Sequence, residues 1–248
     1  MSEHGKAGAP AAEGAPVARS PIAPAPPVLV QAGWEVSGCR SDAPLTITDC
    51  TPLAKVQLKA PWNGGAAKAL GVPFGRAGRD SAGFFPGGTH PPGPPSGKDD
   101  PPEPPRNQGW LVVGSGPGEW LVLAPPGTAA QVAGWLTTLA ADAAPEEFAS
   151  VTDLTHGRAL MRITGPDAAD LLARLCGADL HDEMAPDGAA LRAPVAGVAT
   201  DIVRDDRAGV PSYLLHCERS SGQYLFGALA GAGEPFGIGV DGFRLPGI

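Results

Sequence analysis

Asp153 and His156 stand three residues apart where an apolar run ends, a spacing at which a carboxylate can orient an imidazole for general-base work. No nucleophile accompanies them. The chain has no G-x-S-x-G elbow, and neither Ser115 nor Ser212 has a nucleophile's setting. The pair reads better as a polar turn that fixes where two strands meet. Asp201 lies inside V-A-T-D-I-V, where alternation sets Val198, Thr200 and Ile202 on one face and Ala199, Asp201 and Val203 on the other. On a half-buried strand such an acid can receive a proton or bind a cationic amine; it can equally face solvent or pair with Arg204, and the pattern leaves these open.

Gly114-Ser115-Gly116-Pro117-Gly118 follows an apolar run and resembles a glycine turn that cradles a pyrophosphate. That motif needs a third Gly where Glu119 stands, and then a helix whose N-terminus faces the phosphates, whereas Trp120-Leu121-Val122-Leu123 reads as strand. A hairpin turn is the better account, and no flavin or nicotinamide site is expected on this chain. Cys176 with His181, or His216 with Cys217, invite a metal-ligand reading. Adjacent strand residues point to opposite faces, so His216 and Cys217 cannot readily share one ion, and packing explains both pairs better.

The elements that must position these residues follow from periodicity. Lys55 to Lys59 alternates with period two and predicts a strand, and Gly65 to Leu70 is a short Ala-rich helix. Trp110 to Val113 and Trp120 to Leu123 predict a hairpin. Thr128 opens a helix with Val132, Trp135, Leu136 and Leu139 along one face, and Phe148 to Leu154 is a strand. The order then recurs. Ala159 to Ile163 is a strand, and Gly165-Pro166-Asp167 starts a helix whose apolar face is Ala168, Leu171, Leu172 and Leu175. Val198 to Val203 and Tyr213 to Cys217 are strands, and Ser220 or Ser221 caps a last helix carrying Tyr224, Leu225 and Leu229. The expected fold is α+β, with two β-α-β-β-α (split βαβ, ferredoxin-like) halves packed together.

Composition limits how much of the chain joins that fold. Gly 35 and Pro 29 make up about a quarter of the 248 residues. Residues 1–27 are an Ala/Pro/Gly-rich tail that buries too little apolar surface to offset chain entropy and is expected to be disordered. Residues 85–108, with P-P-G-P-P and P-P-E-P-P, are expected to be an extended proline-rich insertion in a domain spanning 53–248. P-x-x-P at Pro91 to Pro94 suits an aromatic groove, although a plain surface insertion is the simpler account. The formal charge of -8 disfavours nucleic acid and anionic membranes as partners. Four cysteines without a C-x-x-C pair suggest neither zinc nor a disulfide framework, and no long apolar run or signal-peptide start is present, so the cytoplasm is expected. Abundant Arg, Ala, Gly and Pro suit a GC-rich bacterial genome.

The run D-L-T-H-G-R-A-L-M-R-I-T-G-P-D-A-A-D-L-L-A-R-L, from Asp153 to Leu175, resembles the glycine-cleavage aminomethyltransferase family. A-G-V-A-T-D-I-V from Ala196 and G-E-P-F-G-I near Phe236 resemble later segments of that family, in the same order. Within that superfamily, A-D-L-H at Ala178 to His181, Gly188 and C-E-R-S-S at Cys217 to Ser221 look most like the gamma subunit of heterotetrameric sarcosine oxidase. A-P-W-N-G-G-A-A-K-A-L-G-V-P-F-G-R and G-P-G-E-W-L-V-L in the N-terminal half look like the same family. The resemblance implies an aminomethyltransferase-like fold and an accessory, non-catalytic role in oxidising sarcosine to glycine. It places FAD, FMN, NAD and tetrahydrofolate on partner alpha and beta subunits, and no cofactor on this chain. The transferase's paired acids correspond to Thr200 and Asp201, so one carboxylate is absent, and its folate-contacting Asn corresponds roughly to Cys217. Asp201 remains the one candidate for a folate or amine contact, while Asp153, His156, Asp179, His181 and Arg219 are structural or interface candidates. The alternative implied is a stand-alone folate-binding transferase or regulator.

Overall fold

The structure is a computed structural model that describes residues 16–79 and 109–245. The proline-rich insertion expected at 85–108 and the first part of the expected tail lie outside the described residues.

In chain order the strands and helices are β1 (Ala18–Arg19), β2 (Val28–Gln31), β3 (Trp34–Ser37), β4 (Thr46–Asp49), β5 (Ala54–Lys59), α1 (Gly65–Leu70), β6 (Ala77–Arg79), β7 (Leu111–Gly116), β8 (Glu119–Ala124), α2 (Ala129–Ala143), β9 (Ser150–Asp153), β10 (Arg158–Thr164), α3 (Ala168–Ala173), β11 (Ala190–Val195), β12 (Val198–Arg204), β13 (Ser212–Glu218), α4 (Gly222–Gly233) and β14 (Gly239–Val240). A five-stranded sheet runs β6-β7-β8-β5-β9, a six-stranded sheet runs β11-β12-β13-β10-β4-β14, and a small sheet runs β1-β3-β2. Among the described residues no helix is long and apolar enough to cross a membrane.

The alternation of each strand divides its side chains between two apolar layers. On β10, Ala159, Met161 and Ile163 join a cluster with Leu171 and Leu172 of α3 and Leu225 and Leu229 of α4. On β5, Val56 and Leu58 join Leu70 of α1 and Val132 and Leu136 of α2. Between the sheets a third cluster gathers Leu121 and Leu123 of β8, Leu160 of β10, Val203 of β12 and Leu214 of β13. The result is four layers: α3 and α4, the six-stranded sheet, the five-stranded sheet, α1 and α2.

The recurring order expected from periodicity has an additional member in each copy. From β5 the order is strand, helix, three strands, helix, and from β10 it is the same. The extra members, β6 and β11, lie at the ends of their sheets, and hydrogen bonds Ala77 N to Gly188 O (2.7 Å) and Ala190 N to Gly75 O (3.0 Å) tie the two ends together. Pro194 sits in β11, where an edge position tolerates a missing N–H donor. Four-residue β4 and β9 are exchanged. β4, which precedes the first copy, pairs with β10 of the second, and β9, which precedes the second, pairs with β5 of the first.

Three expectations are corrected. Order begins before residue 28: Ala18–Arg19 pairs with β3, and Ile22 is 2 % exposed against the helix-side core of the six-stranded sheet, because the segment offers one apolar side chain that a cavity accepts. The folded unit also starts before 53, since β4 is integral to a sheet. The strand expected from Phe148 begins at Ser150, and Phe148 is 83 % exposed. Ser221 does occupy the N-cap of α4, but without a side-chain hydrogen bond, since a 3-10 turn over Arg219–Ser221 leads into the helix.

Gly114 in β7 is required by a close approach: a Cβ there would meet the backbone carbonyl oxygen of Pro73 at 2.3 Å. Gly134 lies within α2 with nothing within 4 Å of a built Cβ. Urea unfolding is therefore expected to show Gly114→Ala destabilised by roughly 1–3 kcal/mol through overpacking, and Gly134→Ala stabilised by about 1 kcal/mol through helix propensity.

Candidate functional site

Asp201 is the centre of a rung across three strands. Arg192 on β11 and His216 on β13 lie directly opposite it. Arg192 Nε donates to Asp201 Oδ1 at 2.5 Å, and His216 Nδ1 lies 3.3 Å from Oδ2. The guanidinium extends to Glu119 of β8 (3.4 Å), whose other oxygen holds Lys59 Nζ of β5 at 2.9 Å. The rung thus crosses from one sheet to the other. Arg204, the partner open to Asp201 by sequence, turns instead to Asp206 and to the carbonyl of Ala185.

The electrostatics of the rung follow from burial. Burial works against ionisation of Asp201, yet the hydrogen bonds from His216 and Arg192 outweigh it and hold the carboxyl below the usual range. His216, 5 % exposed, is pushed toward its neutral form by burial despite Asp201. A neutral imidazole that donates through Nδ1 leaves Nε2 as an acceptor, and Nε2 has no partner among the described residues. Cys217, next along β13, points the other way into the helix-side core.

Two further charged groups are placed between the sheets, and sequence reasoning did not single them out. Arg162 on β10 donates Nη2 to Asp205 Oδ2 (2.7 Å) and Nη1 to Ser212 Oγ (2.8 Å). Asp205 also takes both Nε (3.1 Å) and Nη2 (2.6 Å) of Arg79 from β6, a two-pronged contact that joins the sheets. The signal was an arginine interrupting the apolar run A-L-M-R-I-T. Lys55 of β5 is fully buried, and its ammonium donates to the carbonyls of Thr51 (2.7 Å) and Leu53 (2.8 Å). Desolvation lowers its pKa to about 7.

The remaining candidates are scattered. Asp153 ends β9 and accepts from Thr155 N (2.8 Å), while Thr155 Oγ1 accepts from Lys55 N (3.1 Å), so this turn pins β9 to β5. His156 does not engage Asp153; its ring stacks on Trp34 at 4.9 Å. Asp179 and His181 form an exposed pair at 2.9 Å that reaches Asp170 of α3 at 3.3 Å, and these carboxylates raise the His181 pKa. Arg219 donates Nη2 to the carbonyl of Arg19 at 2.6 Å, its Nη1 has no partner among the described residues, and it borders an open cavity of about 550 Å³ with Pro21 and Gln223. Of the six candidates, the structure brings Asp153 and His156 to one turn and Asp179 and His181 to another, each apart from Asp201.

Residues 110–244 match the family described as the GCVT N-terminal domain. A chain of the heterotetrameric sarcosine oxidase from Corynebacterium sp. U-96, in complex with pyrrole 2-carboxylate, superposes with a TM-score of 0.56 at 21 % identity, covering 79 % of this chain and 88 % of that one. The glycine cleavage system aminomethyltransferase T from Bartonella henselae superposes with a TM-score of 0.59 at 15 % identity, covering 89 % of this chain and 56 % of that one. The chain thus spans little more than half the length of the latter. At these identities the likeness speaks for the fold. The search of curated proteins gave no match.

The buried lysine makes stability depend on pH in a stated direction. The unfolded side chain binds its proton below about 10.4, whereas the folded one does so only below about 7. Between those values the unfolded state holds more protons, so stability rises with pH through that window. Urea unfolding between pH 7 and 8, below the range in which the buried Cys50 and Cys217 thiols, pushed up to about 11, bring an opposing slope, is expected to show this rise in the wild type and its loss in Lys55→Met. A rise of equal size in both would refute the assignment.

Proposed function

The chain belongs to the GCVT N-terminal domain family, and on that premise we propose that it is an accessory, gamma-type subunit of a flavin- and folate-dependent sarcosine oxidase. One observation carries the accessory role: the acid that the family resemblance singles out, Asp201, is already neutralised by Arg192 across the ladder. Its side chain is 16 % exposed and has one oxygen on a guanidinium and the other on an imidazole. Holding a pterin or an amine there would require displacing a charge-assisted bond worth about 1.5–3 kcal/mol. The residues present therefore do not fit a folate on this chain, and Thr200 beside it, 1 % exposed, supplies no second carboxylate.

The coverage of the two solved relatives supports the same reading. The superposition takes in 88 % of the sarcosine oxidase chain but only 56 % of the aminomethyltransferase. In this reading FAD, FMN, NAD and tetrahydrofolate belong to partner alpha and beta subunits in the cytoplasm, and this chain supplies surface and stability.

A second reading, a stand-alone folate-binding protein, is favoured by the unpartnered Nε2 of His216 beside Asp201, which an N–H of a ligand would satisfy. Calorimetry separates the two. The isolated chain is expected to be colourless and to show no binding of tetrahydrofolate, and to co-purify with a flavoprotein when co-expressed with candidate alpha and beta subunits. Asp201→Asn is expected to leave the turnover of that complex unchanged. Micromolar tetrahydrofolate binding by the chain alone, weakened roughly ten- to a hundredfold by Asp201→Asn, would replace the first reading with the second.

A further inference from the structure

The small sheet ends in an apolar edge turned to solvent. β2, V-L-V-Q, is the last strand in the order β1-β3-β2, and its Val28, Leu29 and Val30 are 50 %, 41 % and 62 % exposed. The exposure continues on both sides, through Pro26 and Pro27 before the strand and Ala32 and Gly33 after it, so the hairpin of β2 and β3 stands out from the molecule. Natural edge strands are commonly blunted by a charged side chain or a bulge. Here the run from Pro26 to Gly33 carries no charge, and the pairing of β2 with β3 continues without a register shift.

The backbone groups that this edge offers follow from the ladder. Gly38 N donates to Pro27 O at 2.7 Å, and Gln31 lies opposite Trp34 across the two-residue turn Ala32-Gly33. In an antiparallel pair successive residues turn their N–H and C=O groups to alternate sides. Pro27, Leu29 and Gln31 therefore face β3, and Val28 and Val30 face outward. Two N–H and two C=O groups thus stand at the edge, and another β-strand is the structure that takes them in register. The side chains divide between the two faces: Leu29 lies on the face of buried Val36, and Val28 and Val30 lie on the face of Glu35.

We infer that this strand is β2 of a second molecule of the same chain, paired antiparallel about a two-fold axis at Leu29. In that register Val28 lies opposite Val30 of the second molecule, and Val30 lies opposite its Val28. Both members of each pair face outward from their own hairpins, so each pair exchanges two hydrogen bonds. The two Leu29 side chains meet at the axis, beside Val36. A second molecule suits the edge better than a foreign strand. Two-fold pairing consumes both edges at once, whereas a foreign strand would bring an open far edge of its own. Every residue placed opposite another is valine or leucine, and apolar cross-strand pairs stabilise a ladder. Charge does not oppose the pairing: the chain carries -8, but the edge carries none, and nearby Glu35 is tied to Arg19 at 3.0 Å. Four-residue strands bury little beside the roughly 1,200–2,000 Å² of a stable complex, so the dimer is expected to be weak, with a Kd on the order of 10–100 μM. The inference stands apart from the proposed function.

Sedimentation velocity of the full chain over roughly 1 to 300 μM, a range that brackets this Kd, is expected to show a monomer passing into a dimer. Val30→Lys places a charge at an exposed position. It should keep the circular dichroism and thermal unfolding of the wild type and weaken the dimer about tenfold or more. Val30→Pro removes an outward N–H and none of the bonds to β3, so it should weaken the dimer and spare the hairpin. Cross-linking tests the register in a Cys39→Ser background. Leu29→Cys should oxidise to a disulfide-linked dimer with copper phenanthroline, because residue 29 meets its own counterpart at the axis, whereas Val28→Cys should not. A chain that stays monomeric over the whole range overturns the inference, including one that loses a co-purifying protein on Val30→Lys, since the edge would then take a foreign strand. A dimer that Val30→Lys leaves intact, or a cross-link at Leu29→Cys no better than at Val28→Cys, overturns it equally.

Discussion

Neither sheet of this molecule can be completed by one copy of its repeated unit. β4 is laid beside β10 and β9 beside β5, so the short strand that precedes each copy joins the sheet of the other. The exchange is enforced by what the strands carry. Ile47 of β4 is fully buried in the layer under α3 and α4, and Val151 of β9 packs in the layer under α1 and α2. Withdrawing either strand would leave an open edge on β10 or β5 and strip apolar surface from a helix layer. The family match over residues 110–244 therefore covers a region that does not close on itself: β4, which pairs with one side of β10, and β5, which pairs with β9, precede it in the chain.

The exchange also explains why charge is tolerated between the sheets. Two sheets built from interleaved halves meet along a fixed register, so a side chain on one can be given a partner on the other. Arg79 on β6 reaches Asp205 beyond β12, and Glu119 on β8 reaches Arg192 on β11. Arg162, 8 % exposed, and Asp205, 6 % exposed, are nearly out of water, where removing Asp205 would leave Arg162 as an uncompensated charge. Such pairs add little net stability against an apolar core of equal volume. Their effect is to penalise any sheet pairing that slips by a residue, since a slip turns every side chain to the other face.

Much of the architecture was legible because its signals are local. The hairpin of β7 and β8, the buried stripe of α2 at Val132 and Leu136, and the strands β10, β12 and β13 all show their period within six to fifteen residues. What was illegible is short or non-local. β4 is a four-residue T-I-T-D without a full alternation, and β11 hides behind Pro194. Missing β11 meant missing Arg192, and without Arg192 the state of Asp201 could not be read: its alternation placed it on the right face, but the partner that neutralises it comes from a strand the pattern does not announce. Lys55 was legible as a strand residue and illegible as a buried one, since lysine at an alternating position is ordinarily turned to water.

The rung through Asp201 shows how a position suited to chemistry can be absorbed into structure. A carboxylate becomes reactive when its environment holds it poised between protonation states or leaves its charge for a substrate to meet. Here burial pushes the acid toward protonation, and Arg192 and His216 push harder the other way, so the acid is held ionised with its charge answered. The remaining asymmetry lies with His216, whose Nε2 is buried with nothing to accept from among the described residues. Arg192 is half-exposed and can be displaced toward solvent at little cost in packing; His216 cannot move without opening the ladder. Any ligand that did enter would therefore have to bring a cationic donor in place of the guanidinium and a second donor for Nε2. A demand for both at once is stricter than that of a free acid, and it is why a carboxylate in this place serves the joining of the sheets better than it would serve a substrate.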